Sequence, residues 1–185
     1  MDSRNVLQEL NEILEEFFAK KGELFEKVIK MIAGSLKAGH KILVFGNGGS
    51  AAEAQHFAAE MVNRFLKERP ALAAISLTTD TSALTSIGND TSFDYIFSRQ
   101  IEALAQKGDV ALALSTSGNS ANIIEALKKA REKGLLTIAL TGKGGGKLAP
   151  LPDYLLDVPS RSTPRIQEVH LVLLHLLAEE LEKRI

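Results

Sequence analysis

Apolar residues set the frame of the chain. Leu7, Leu10, Leu14, Phe17, Phe18, Phe25, Val28, Ile29, Ile32 and Leu36 recur at helical spacing and predict helix over residues 3–37. Gly22 interrupts the run and predicts a kink or a break into two helices. The segment is long for a helix that only covers a sheet. It fits packing on the sheet and on a second subunit, although an ordinary covering helix satisfies the same pattern.

After residue 38 the pattern changes to short, continuously apolar runs. Those at 42–45, 72–77, 110–115, 135–141 and 154–158 predict buried strands. Residues 50–66, 93–105, 120–133 and 163–183 carry helical patterns, and TTDTSALTSIGND reads as a loop with a short helix. Apolar strands that each lead to a helix predict a parallel sheet covered on both faces. The expected class is α/β: a three-layer αβα sandwich around a five-stranded parallel sheet, preceded by the long N-terminal helix or helices. Residues 1–185 show no linker and read as one domain, with residues 1–37 a helical segment for oligomerisation and 38–185 the α/β core. The ligand crevice of such a sheet lies at the carboxyl ends of its strands, where the polar loops of this sequence fall.

Composition narrows the function. With 185 residues, 45% of them hydrophobic, the chain can bury a sizeable core and is neither disordered nor fibrous. A formal net charge of −1 argues against a direct nucleic-acid partner. No apolar run is long enough to span a membrane, and the acidic, amphipathic start is unlike a signal peptide. Zero cysteines exclude disulfides, thiolate metal sites and thiol nucleophiles. A cytoplasmic protein is the expectation.

Two loops carry candidate chemistry. Gly46-Asn47-Gly48-Gly49-Ser50-Ala51 reads as a strand end, a glycine turn and a helix start, with Ser50 as a predicted cap. It formally fits G-x-G-x-x-A, and Asp80 follows the second strand. Asp80 lies far from the last glycine, however, which weakens a dinucleotide reading. The loop Ser115-Thr116-Ser117-Gly118-Asn119-Ser120 offers four hydroxyls between a strand and a helix start, suited to a phosphate monoester without any lysine. Its plainer reading is a polar turn with Ser120 as the helix cap.

His56 and Glu60 lie four apart and project from one helix face. His175 sits in the apolar run LVLLHLL and must be satisfied or used. The three could form a zinc-type site or an acid/base set. Asn89 and Asp90 could meet sugar hydroxyls or form an Asx turn. His170 and His40 gain no role, and His170 is expected to pack or face solvent near a helix start.

GNGGSA at 46–51, HFAAE at 56–60, SIGND at 86–90, FSRQ at 97–100, STSGNSAN at 115–122, TGKGGGK at 141–147 and RIQEVH at 165–170 with His175 occur together. Almost end to end, the chain resembles the sugar isomerase (SIS) family and, within it, the phosphoheptose isomerase branch. The resemblance implies a flavodoxin-like strand order. It also implies conversion of sedoheptulose 7-phosphate to D-glycero-D-manno-heptose 7-phosphate through a cis-enediol, the first step toward ADP-heptose for lipopolysaccharide core. By position, Ser115, Thr116, Ser117 and Ser120 would hold the phosphate. Asn47, Gly48, Gly49, Asn89 and Asp90 would line the sugar, with Ser50, Glu60 and Gln167 among the substrate contacts. Glu60 and His175 would be the acid/base pair, and His56, Glu60, Gln167 and His175 would bind zinc, one ion per subunit.

Gln167 and His175 are eight residues apart, about 12 Å of rise on one helix. Two ligands of one metal are hard to place so. Either Gln167 sits at an unwound helix start, or the two serve sites in different subunits of a homo-oligomer, a tetramer by resemblance. A related SIS protein, similar over AEMVNRFLKERPALAAISL, binds the replication initiator DnaA and lacks the glutamate and the last histidine. Both are present here, which favours the enzyme over an initiator-binding protein or a sugar-phosphate sensor.

Overall fold

The computed structural model describes residues 3–185, so Met1 and Asp2 of the amphipathic start lie outside the described residues. Helix α1 (Ser3–Lys37) is a single helix of 35 residues. The break expected at Gly22 does not occur. Phe17, Phe18 and Phe25 pack edge to face across that position, with centroids 5.3 to 6.5 Å apart. Tertiary packing overrides the weak helix propensity of one glycine.

The sheet contains β1 (Ile42–Gly46), β2 (Ala74–Ser76), β3 (Val110–Ser115), β4 (Leu136–Thr141) and β5 (Tyr154–Asp157). All neighbours run parallel, in the order β2-β1-β3-β4-β5. This is the flavodoxin-like order, which reverses between β1 and β3. Side chains alternate between the faces. Ile42, Val44, Val110, Leu112 and Ile138 pack with α1, α2 (Gly49–Val62) and α6 (Thr163–Arg184). Leu43, Phe45, Ala111, Ala113 and Ala139 pack with α4 (Ser98–Leu104) and α5 (Ala121–Glu132). These are the three layers predicted from the apolar strands.

Several boundaries differ from the hydrophobic pattern. Helix α2 ends at Val62 rather than near 66, and β2 shortens to three residues, because the intervening chain is tied to α6. The segment read as a loop is the ten-residue helix α3 (Thr81–Asp90). Its N-cap is Asp80, whose carboxylate accepts from Ala83 N at 2.9 Å. The acid once compatible with a ribose contact is therefore committed to a helix end. The helix expected over 93–105 divides into a 3₁₀ turn, Phe93–Tyr95, and α4. Among the described residues no helix is long and apolar enough to cross a membrane.

His170 packs rather than facing solvent. It is fully buried in α6, with Nε2 3.2 Å from the Thr141 carbonyl at the end of β4. That bond requires Nε2 to carry the hydrogen, so Nδ1 is a bare buried acceptor, and it has no partner. Burial lowers the His170 pKa to about 4, against the raising effect of the Thr141 bond. A folded value below the unfolded one gives stability that is present above about 6.5 and lost as pH falls toward 4. The expected loss from this group is about 3 kcal/mol. Urea unfolding at pH 7.0 and 4.5 should show it, and a His170→Leu variant should lose less over the same interval. An equal acid loss in both proteins would remove His170 as the cause.

Candidate active site

Helix α2 presents its functional side chains on the face toward α6. His56 Nε2 lies 3.6 Å from Glu60 Oε1 and 2.9 Å from His175 Nε2. The three residues read from the sequence as one set therefore meet within a single chain. Two facing Nε2 atoms can share a hydrogen only if one ring carries it and the other does not; facing a cation, both would be bare. Phe65 stacks on His175 at 5.4 Å between centroids and 22° between planes, fixing the ring from its other side.

A cavity of about 320 Å³ opens beside this set, lined by Ala52, Glu53, His56, Leu171 and His175. Glu53 was not foreseen. One of its carboxylate oxygens is buried and lacks a hydrogen-bond partner. Burial pushes its pKa up to about 7, opposed by the Ser50 hydroxyl. Near neutrality it is then partly protonated and carries less than a full negative charge. Its spacing of three from His56 was the signal available.

The zinc ligands implied by resemblance divide in this structure. His56, Glu60 and His175 converge, with a nitrogen–nitrogen distance near the roughly 3.3 Å spanned by two donors of a tetrahedral zinc. Gln167 does not join them. Helix α6 is continuous from Thr163, and Ile166 N already bonds Ser162 O at 2.9 Å, so the helix start is not unwound at Gln167. Its amide lies against Gly49, where a methyl group would collide with it. Among the described residues no group of three or more His, Asp or Glu side chains is placed to hold a metal ion, and Glu60 and His175 are linked only through His56. The three offer donor types that suit zinc, and a further donor would be needed to complete four-coordination.

The glycine turn is shaped for close approach. Gly48, with φ of 56°, is the N-cap of α2. Ser50 therefore does not cap the helix; it lies inside it and is buried. Asn47 exchanges two amide hydrogen bonds of 2.9 Å with the buried Asn122. This ties the turn after β1 to the start of α5, across the point where the strand order reverses. A cavity of about 170 Å³ lies over Asn47, Gly48 and Phe93. Asn89 and Asp90 are exposed at the end of α3 and bond each other at 2.7 Å.

In that serine loop, Ser115 Oγ accepts from Gly118 N, and Ser117 Oγ accepts from Asn119 N, each at 3.2 Å. Ser120 is the N-cap of α5 by backbone, yet its side chain makes no capping bond. Its hydroxyl is free for a ligand, contrary to the plainer reading. Beside Thr116 and Ser117 lies a cavity of about 370 Å³ that also meets Lys143, Ser160 and Arg161. Neither cation has an ion-pair partner within 4 Å among the described residues. The two loops carrying them are joined by Lys143 N to Ser160 O at 3.0 Å, a pairing the linear sequence does not reveal.

These features can be set beside known proteins. A family model described as the SIS domain matches residues 6–142. The chain is 55% identical over 165 residues to the phosphoheptose isomerase of Desulfovibrio desulfuricans, covering 89% of this chain and 79% of that one. It is 51% identical to the phosphoheptose isomerase of Aquifex aeolicus, covering 98% and 95%. Among solved structures, the phosphoheptose isomerase of Neisseria gonorrhoeae superposes with a TM-score of 0.91 at 46% identity, covering 98% of this chain and 97% of that one. The chain belongs to the SIS domain family, in its phosphoheptose isomerase branch.

Proposed function

We propose that this protein interconverts sedoheptulose 7-phosphate and D-glycero-D-manno-heptose 7-phosphate, as a cytoplasmic step toward ADP-heptose for lipopolysaccharide core. The observation that carries the reading is the meeting of His56 and His175 at one cavity, with Glu60 beside His56, in a chain whose relatives at 51–55% identity are phosphoheptose isomerases. Ser115, Thr116, Ser117 and Ser120 hold the phosphate with the N-terminus of α5. Asn47, Gly48, Gly49, Ser50, Asn89, Asp90 and Gln167 border the sugar. Fixing the phosphate end brings the reacting carbons to a defined place.

Glu60 removes a proton from C1 of the ketose while His175 gives one to the C2 oxygen. A cis-enediol results. His175 then takes the proton from the C1 oxygen, and Glu60 returns a proton to C2, which yields the aldose. A zinc ion held by His56, Glu60 and His175, with Gln167 of the partner subunit, would supply positive charge for the developing enediolate oxygen. Phe65 against one side of His175 excludes water from that ring.

The rise between Gln167 and His175 on an unbroken helix supports a site shared between subunits. Exposed Leu7, Phe18 and Met31 on α1 support a homo-oligomer, a tetramer in our reading, with α1 in its contacts. No observation favours binding of DnaA.

Purified protein is expected to turn over sedoheptulose 7-phosphate, to lose at least about tenfold of its rate after chelation, and to recover it with zinc. An unchanged rate after metal stripping would remove zinc from the mechanism and leave the Glu60–His175 pair to carry it. Replacing both Lys143 and Arg161 by Ala is expected to raise KM about tenfold, with kcat little changed, because charge on the phosphate is gained before and during reaction alike. A fall in kcat at constant KM would place those cations at the reacting end instead.

A further inference from the structure

Glu60 stands in the last turn of α2, two residues before the helix ends at Val62. Helix ends leave carbonyls without intrahelical partners and fray readily. A proton-transfer group placed there needs something to hold it. The structure supplies it from two distant parts of the chain.

Arg69 lies in the connection between α2 and β2, and its side chain is 7% exposed. Its Nη2 donates to the Glu60 carbonyl at 2.7 Å, and its Nη1 to the Met61 carbonyl at 2.9 Å. Both are carbonyls of the last turn of α2, the Met61 one also accepting from Leu72 N at 3.0 Å, and a cation there suits the helix dipole. The remaining edge of the guanidinium, Nε, donates to Glu182 Oε1 at 3.2 Å.

Glu182 comes from α6, and its side chain is 1% exposed. Besides Arg69, its carboxylate accepts from Phe65 N at 2.7 Å, Leu66 N at 2.9 Å and Lys67 N at 3.1 Å. Those amides set the position of Phe65, whose ring stacks on His175. His175 and Glu182 are seven apart, two turns along one face of α6. A buried ion pair is weak evidence for stability, because desolvation offsets its attraction. This pair is instead spent on geometry: three of its bonds end on Glu60, Met61 and Phe65, and the others, to Leu66 N, Lys67 N and the Pro70 carbonyl at 3.0 Å, hold the connection that follows α2.

We propose that Arg69 and Glu182 are positioning residues of the isomerase site: together they fix the α2 turn that carries Glu60, and the Phe65 ring, against the α6 face that carries His175. The inference rests on the function proposed above. It assigns no contact between either residue and the substrate. Their removal should misplace the proton-transfer groups and leave the phosphate grip at the N-terminus of α5 alone.

The test compares wild type with Arg69→Lys, Glu182→Gln and Phe65→Leu. Lys keeps the charge but lacks the fork that reaches two carbonyls and the carboxylate at once. In folded Arg69→Lys, kcat is expected to fall by about 10- to 100-fold with KM within about threefold. Hydrogen exchange over residues 58–65 should speed up at least about tenfold while the sheet amides stay protected. A kcat within threefold of wild type in a folded variant overturns the proposal. So does a loss that only tracks the unfolded fraction. Should both clasp variants fail to fold, Phe65→Leu decides: normal kcat there overturns the link to His175, and a fall with constant KM supports it. Wild type inactive on sedoheptulose 7-phosphate would sink the assigned function, not the clasp; unchanged exchange at 58–65 would sink the clasp.

Discussion

Glu60→Gln is expected to lower kcat by about 10²- to 10⁴-fold with the fold intact. The side chain touches little that supports the structure. It is 22% exposed, and its one side-chain ion-pair contact is His56 at 3.6 Å. The bond that holds this turn of helix runs from Arg69 to the Glu60 backbone carbonyl, which the substitution leaves in place. Glutamine keeps the size and shape of the side chain but cannot accept a proton from carbon. Removing the base should slow the chemical step and leave binding of the phosphate end alone, so kcat should carry the loss. Circular dichroism and thermal melting would verify the fold. Turnover near that of wild type in a folded variant would end the assignment of Glu60 as base.

The second large effect concerns pairs of inactive variants. His56, Glu60 and His175 meet in one chain. Mixed oligomers of Glu60→Gln and His175→Gln chains are therefore expected to stay inactive, since every site lacks one member of the pair. Glu60→Gln mixed with Gln167→Ala should behave differently. Gln167 lies against Gly49 at the far end of α2 and, on an unbroken helix, stands about 12 Å from His175. If each site takes Gln167 from a second subunit, random mixing makes about a quarter of the sites whole. Activity should then rise from the background of either variant to about a quarter of wild type. Recovery in the first mixture, or none in the second, would contradict a shared site of this composition.

Much of this arrangement was legible in the sequence, for identifiable reasons. The strands are apolar throughout because both faces are covered, and the polar loops necessarily fall at their carboxyl ends. His56 and Glu60 showed themselves by helical spacing, and His175 by its apolar surroundings. Other features depended on distant residues. The end of α2 follows from a carboxylate 113 to 117 residues further on, which no local pattern records. Gly22 looked like a break because propensity is local, whereas the phenylalanines around it act through packing. Lys143 and Arg161 become neighbours of the serine loop only when β4 and β5 lie side by side. Glu53 was visible at helical spacing from His56, but its significance lies in burial without a partner. Ser50 and Ser120 show the limit of reading caps from residue type. One lies within its helix, and the other caps by backbone alone.

The most direct measurement is to incubate the protein with sedoheptulose 7-phosphate in deuterium oxide and examine the sugar by NMR. Transfer through a cis-enediol by Glu60 and His175 is expected to yield D-glycero-D-manno-heptose 7-phosphate with deuterium at C2, and the Glu60→Gln variant should yield none. Absence of the aldose from wild type, or its formation by Glu60→Gln at the wild-type rate, would contradict that chemistry.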